Sequence, residues 1–285
     1  MAAPARGQEA QLAWERRAGR VAGPVAFLSL ALLIAAGFFG RLPRAADPAA
    51  ALLAVGQGGA TRVAAATVQS LGLLLITVVL VYLYKATRHR RPETPRGTLV
   101  LIVLGPVLVT AMGIALQVAL LDAAREFVAS GPRTAARASA ITREGVLPVI
   151  REVSLGASIA LGLGIVLLSV NAMRAGLLSR FMGILGMLAG VLAGLPISAP
   201  PTLLFFWVAA LGLLALGRWP GGRGPAWETG EAAPWPSPAE QRRVRDEEAA
   251  EEEPPPALDT AEDGAGADPP ASGTGGRPRK RKRRR

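Results

Sequence analysis

Thr98-Leu-Val-Leu-Ile-Val-Leu-Gly-Pro106-Val-Leu-Val-Thr110-Ala-Met-Gly-Ile-Ala-Leu-Gln117-Val-Ala-Leu-Leu121 carries no charged side chain. At about 1.5 Å per residue, a helix of this length extends about 36 Å, enough to cross hydrocarbon about 30 Å thick. Its apolar residues are continuous rather than alternating, which excludes a membrane-barrel strand. Unpaired backbone groups are too costly in lipid for an open form. The stretch reads as a membrane-spanning α-helix, and it decides the fold.

Working outward, five more stretches lack Asp, Glu, Lys, Arg and His: Val21–Gly40, Thr67–Tyr84, Ser154–Met173, Phe181–Ile197 and Thr202–Gly217. The last two are short. Ile197-Ser-Ala-Pro200-Pro201 between them is a tight turn, because consecutive prolines stop a helix. They form a helical hairpin whose two ends emerge on the same side. The expected fold is all-α: a polytopic transmembrane bundle of about six spans, followed by a disordered cytoplasmic C-terminal tail.

Composition agrees with this division. Of the 285 residues, 51% are hydrophobic, yet 32 Lys and Arg against 21 Asp and Glu leave a net charge of +11. The charges are confined to the ends and a few loops, as in a multi-span protein with a polar tail. The absence of cysteine excludes disulfides, zinc–thiolate sites, iron–sulfur clusters and cysteine nucleophiles. His89 is the only histidine, which argues against imidazole-based catalysis. No His-Glu-x-x-His, Gly-x-Ser-x-Gly, Walker lysine or intramembrane aspartate pair occurs. No catalytic, cofactor-binding or metal-binding residue is assigned, no cofactor is expected, and the chain is not read as an enzyme.

Orientation follows the basic residues of the short flanks. Arg6, Arg16, Arg17 and Arg20, the loop Lys85-Ala-Thr-Arg88-His-Arg90-Arg91 with Arg96, and Arg174 and Arg180 share one side. The density is higher there than across residues 41–66 and 122–153, so both termini are placed in the cytoplasm and the chain in the cell membrane. A cleaved signal peptide is the competing reading of residues 21–40, but its apolar core would normally be shorter. Residues 1–20 form an amphipathic segment with Trp14 as an interfacial anchor. Ala49–Val55 reads as a short interfacial helix. Gly131-Pro132 divides the connection 122–153 into Asp122–Ser130 and Thr134–Val153. The second piece suits a helix on the bilayer surface or capping the bundle.

Helices in lipid associate through small residues. Gly156, Ala160 and Gly164 form one stripe at spacing four, and Gly186, Gly190 and Gly194 another. Both are expected to face neighbouring helices, plausibly each other. Intramembrane polar groups point to a substrate path by default. Gln117, Asn171 and the kink at Pro106 form a candidate polar cavity, although interhelical hydrogen bonding alone also accounts for them.

After residue 217 the composition changes. Trp219, Trp227 and Trp235, eight apart, read as further interfacial anchors within a Trp/Pro-rich juxtamembrane segment, 218–245. Ser237-Pro-Ala-Glu240 reads as a capping box opening a short helix. Residues 246–285 are acidic, then polybasic, ending in Arg277, Arg279, Lys280, Arg281, Lys282, Arg283, Arg284 and Arg285. Such a cluster contacts polyanions, with anionic lipid headgroups the nearest. Without interleaved aromatic residues it has no means of specific nucleic-acid binding. A cytoplasmic protein partner and a homo-oligomer stay open.

Asn171-Ala-Met-Arg174-Ala-Gly-Leu-Leu-Ser-Arg180-Phe-Met-Gly-Ile-Leu-Gly186 resembles a junction in uncharacterised multi-pass membrane proteins of actinobacteria. So do Tyr82-Leu-Tyr84-Lys-Ala-Thr-Arg88 and the tail segment from Gly217-Arg-Trp219 through Pro225-Ala-Trp227 to Pro234-Trp235-Pro236. The resemblance covers about residues 20–245. It implies a six-helix membrane protein with no assigned activity, and it transfers no site residue. Two functions follow: a non-enzymatic membrane scaffold or interaction protein whose tail meets lipid or a partner, or a facilitative carrier of a small, weakly polar or lipid-like solute.

Overall fold

The computed structural model describes residues 3–40, 47–195, 201–220, 222–235 and 242–243, with side chains from residue 7 onward. All that follows lies within residues 1–235, one compact unit. Every regular element among the described residues is helical: α1 (Ala3–Phe39), α2 (Pro48–Gln57), α3 (Gly59–Arg90), α4 (Arg96–Ala129), α5 (Ala135–Arg143), α6 (Val146–Arg174), α7 (Arg180–Gly194), α8 (Thr202–Ala215) and α9 (Pro225–Thr229).

Four of them, α1, α3, α4 and α6, are long and apolar enough to cross a membrane. That is fewer than the six of the sequence reading. With 15 and 14 residues, α7 and α8 rise only about 22 and 21 Å, short of the hydrocarbon thickness. The C-terminal end of α7 lies against Ile159 and Gly162 of α6, well short of the start of α6 at Val146.

The surface shows which solvent the bundle is built for. Val100, Val103, Leu104, Val107, Ile114 and Val118 of α4 are exposed, as are Ile184, Leu188, Val191 and Leu192 of α7. A water-soluble monomer does not carry apolar faces of this extent. The core is equally apolar: Ile76, Leu80 and Leu83 of α3 meet Ile102, Ile165, Leu168 and Trp207. Packing runs from α1 to α3, α4, α6 and α7, and α8 returns to α1. Four spanning helices with a lipid-compatible exterior define a multi-pass membrane protein.

Glycines set the close approaches, but in a different pairing from that expected. A Cβ on Gly190 would lie 2.7 Å from the Gly162 carbonyl, and Gly194 also faces Gly162. The α7 stripe therefore packs against α6 through Gly162, outside the 156/160/164 set. Gly164 instead faces Leu101 and Ile102 of α4, and Gly156 faces open space. Ala160 is half-buried. The spacing-four stripe winds away from the contact over eight residues, and a second helix claims its end. Gly186 serves Trp207, whose ring would lie 2.6 Å from a Cβ there. The Trp207 indole N–H donates to the Met182 carbonyl at 3.1 Å.

At the opposite end from the α6–α7 turn, α2 and α5 cap α4. Asp47 accepts from the Ala49 and Ala50 amides at 3.3 and 3.2 Å, an N-cap that starts α2. Ala49, Leu52 and Val55 then bury against Ala123, Ala124 and Phe127, with Ala138 and Leu147. The expected helix Thr134–Val153 is divided. Gly145, at φ 71°, ends the α5 segment, and Val146–Val153 forms the first two turns of α6 rather than a surface helix. Only glycine takes that backbone conformation without cost.

Candidate functional site

The residues proposed for one polar cavity lie apart. Gln117 accepts a hydrogen bond from Arg62 Nε at 3.1 Å, near the α2 end of the bundle. Asn171, three residues before the other end of α6, donates to its own helix at Leu167 O, 2.8 Å. Pro106 is buried midway along α4. Two of the three thus have local partners and opposite addresses. Gln117 lines a different cavity of about 250 Å³ between α3 and α4, with Gln69, Ser70 and Thr110. The Thr110 hydroxyl oxygen is buried there without a hydrogen-bond partner.

The most constructed polar site is at the basic end. Arg90 closes α3, and Glu15 sits on α1 six residues before the apolar run begins. Their side chains are almost wholly excluded from solvent. Arg90 Nη1 bonds Glu15 Oε1 at 2.5 Å, and Nη2 bonds Oε2 at 2.9 Å. Nε and Nη2 also reach the Ala226 carbonyl at 2.9 and 2.6 Å, and Nη1 reaches Ala86 O at 3.0 Å. All five guanidinium N–H donors are thereby used, which the geometry of a planar fork allows. Glu15 Oε1 takes a further bond from Gln11 at 2.9 Å. Burying an ion pair is tolerable only under such full satisfaction.

Ala226 belongs to α9, so this ion pair holds the juxtamembrane segment against the bundle. Trp227, next in sequence, is buried. Its indole N–H donates to the Leu177 carbonyl at 2.9 Å, and its ring stacks on Tyr82 at 5.9 Å with a 17° interplanar angle. Tyr82 in turn meets Trp14 at 6.0 Å. Arg90 and Arg223 each lie 5.4 Å from the Trp227 ring centroid, within cation–π range. Arg223 Nε donates to Leu214 O at 3.0 Å, and Nη2 to Ala215 O. Both carbonyls lie at the C-terminal end of α8, and Leu214 O also accepts from the Gly217 amide at 3.0 Å.

Trp227 is buried, and its polar atom is bonded inside protein rather than left open to a headgroup. Trp14 and Trp219 are half-buried against the same core. Trp235 packs beside Gly224, and its indole nitrogen is buried without a partner. Arg277, Arg279, Lys280, Arg281, Lys282, Arg283, Arg284 and Arg285 lie outside the described residues, as do the acidic block and the Ser237 capping box.

Sequence reasoning passed over Glu15, Arg90 and Arg223. An acid six residues before the apolar run was the available signal for Glu15. Arg90 was hidden among loop cations that serve as topology signals. Trp227 also joins the three resemblance segments physically. Tyr82 and Trp227 stack, and Leu177 of the α6–α7 junction accepts from Trp227. In that junction Gly176 has φ 76°, while Leu177 and Leu178 are fully buried. Among the described residues no group of three or more His, Cys, Asp or Glu side chains could hold a metal ion. No protein-family model, curated protein or solved structure matches the chain.

Proposed function

We propose that the protein is a non-enzymatic scaffold or interaction protein of the cell membrane, with the short α7 and α8 completing six spans where the bilayer thins locally, and both termini in the cytoplasm. The observation that carries this reading is the Arg90–Glu15–Ala226 clasp. It ties the segment leading into the tail to the bundle through a fully satisfied buried ion pair. A tail anchored this way starts from a defined place on the membrane's cytoplasmic face. Residues Arg277–Arg285 then contact anionic lipid or a cytoplasmic protein, with about 1 kcal/mol per cation near an acidic surface. The resemblance to actinobacterial multi-pass proteins belongs to the same proposal.

The experiment places the protein in neutral-lipid nanodiscs and offers vesicles rich in phosphatidylglycerol. The full chain should recruit them in a salt-sensitive way, and a form lacking 277–285 should not. Equal recruitment by both forms contradicts the scaffold reading. A facilitative carrier is the second reading. The α3–α4 cavity with Gln69, Ser70, Thr110 and Gln117 favours it, and Gln117→Leu should then abolish solute flux in proteoliposomes.

A further inference from the structure

Tyr84, Lys85, Arg88 and His89 on α3 and Gln11 and Trp14 on α1 enclose an open cleft of about 410 Å³. Lys85 Nζ lies 5.8 Å from the Trp14 ring centroid. Arg88 Nη1 donates to the Tyr84 hydroxyl at 3.1 Å. Tyr84 itself is only 2% exposed, and its hydroxyl holds Arg88 in place at the cleft. No acid lines the cleft: the nearby Glu15 is turned away and neutralised by Arg90. Two positive charges and the Trp14 ring border one open space. Cations near the C-terminal end of a helix complement its dipole, which accounts for Lys85 and Arg88 but not for the cleft or the Trp14 ring beside them.

The cleft has a lipid-facing continuation. Leu71, Leu74, Val78, Val81, Lys85 and Arg88 recur at helical spacing along one stripe of α3. Leu71, Leu74 and Val78 are exposed, and Val81 is half-buried. The stripe is apolar along the span and becomes basic just past Tyr84, where the uncharged run of α3 ends. From this we infer that the α1–α3 cleft is a binding site for an anionic glycerophospholipid. Lys85 and Arg88 hold the phosphate, and an acyl chain lies along Leu71, Leu74 and Val78. The inference rests on the membrane reading and is independent of the tail.

The test uses the detergent-solubilised full chain and native mass spectrometry. The probes are dioleoyl phosphatidylglycerol, dioleoyl phosphatidylcholine and inorganic phosphate. Phosphatidylglycerol should bind, and more tightly than phosphatidylcholine. Phosphate at equal concentration should not displace it. Lys85→Gln/Arg88→Gln should weaken phosphatidylglycerol about 30-fold, from the loss of two cations at the membrane surface. Deleting 277–285 should leave that affinity unchanged. Because Lys85 is exposed, Lys85→Gln alone provides a folded second variant, with a loss of about fivefold. Equal phosphatidylglycerol affinity in these variants overturns the site, and so does equal affinity for phosphatidylcholine. Displacement by inorganic phosphate assigns the cleft to free anions and overturns the lipid.

Discussion

Arg90 and Glu15, 75 residues apart in the chain, form a bidentate ion pair with both side chains removed from solvent. The guanidinium also bonds the Ala226 carbonyl, a further 136 residues along from Arg90. One side chain thus joins α1, α3 and the juxtamembrane segment. Removing one member of a buried pair leaves the other charge uncompensated, at about 3–5 kcal/mol. Glu15→Gln should lower unfolding stability in detergent by that order. Glu15→Leu/Arg90→Met should be more stable than Glu15→Leu alone, because no isolated charge remains. A double variant no better than the single one would show that the attraction between the two charges is not what matters.

Trp227 and Trp235 should respond differently. Trp227→Ala removes a buried stacked ring and its bond to Leu177, a loss of about 3–5 kcal/mol. It should free residues 222–235 for trypsin cleavage at Arg223. Trp235→Phe removes a buried indole N–H that has no partner, and should leave stability unchanged or slightly raised. Limited proteolysis of the two variants beside the parent separates these outcomes.

Helix packing gives a contrast within one residue type. Gly190→Leu or Gly162→Leu drives side-chain atoms into the facing backbone of α6 or α7, costing about 1–3 kcal/mol or more. Gly156→Ala points into open space and should stabilise by about 0.5–1 kcal/mol through helix propensity. Melting temperatures in one detergent compare all three. Equal losses would place Gly156 at an interface after all.

Gln117 and Asn171 should act independently. Gln117→Leu costs Arg62 its partner, while Asn171→Leu removes a bond within one helix. Distant sites add to within about 0.5 kcal/mol, so the double variant should equal the sum of the singles. A larger coupling in a double-mutant cycle would mean the two share a cavity.

The helices were legible from uninterrupted apolar runs, because lipid allows a spanning segment few other forms. Lengths were less so. Gly145 stops α5 with a positive φ, and nothing in the amphipathic pattern of 134–153 distinguishes a surface helix from the first turns of α6. The glycine stripes signalled close packing but not which helix each residue meets, since spacing four drifts around the axis. The clasp was illegible for a different reason. Arg90 looks like any topology-setting cation until the chain brings Glu15 and Ala226 to it. The eight-residue tryptophan spacing was visible, but protein could satisfy the Trp227 indole as well as a headgroup could.

The exposed apolar faces of this bundle should be solvated by lipid. The native chain has no cysteine, so single substitutions Val103→Cys, Leu163→Cys and Ile184→Cys report on those faces without background. In intact membranes each should resist a water-soluble maleimide, while Ser130→Cys, at the exposed end of α4, labels readily. Labelling of Val103→Cys, Leu163→Cys and Ile184→Cys as fast as Ser130→Cys would contradict the claim.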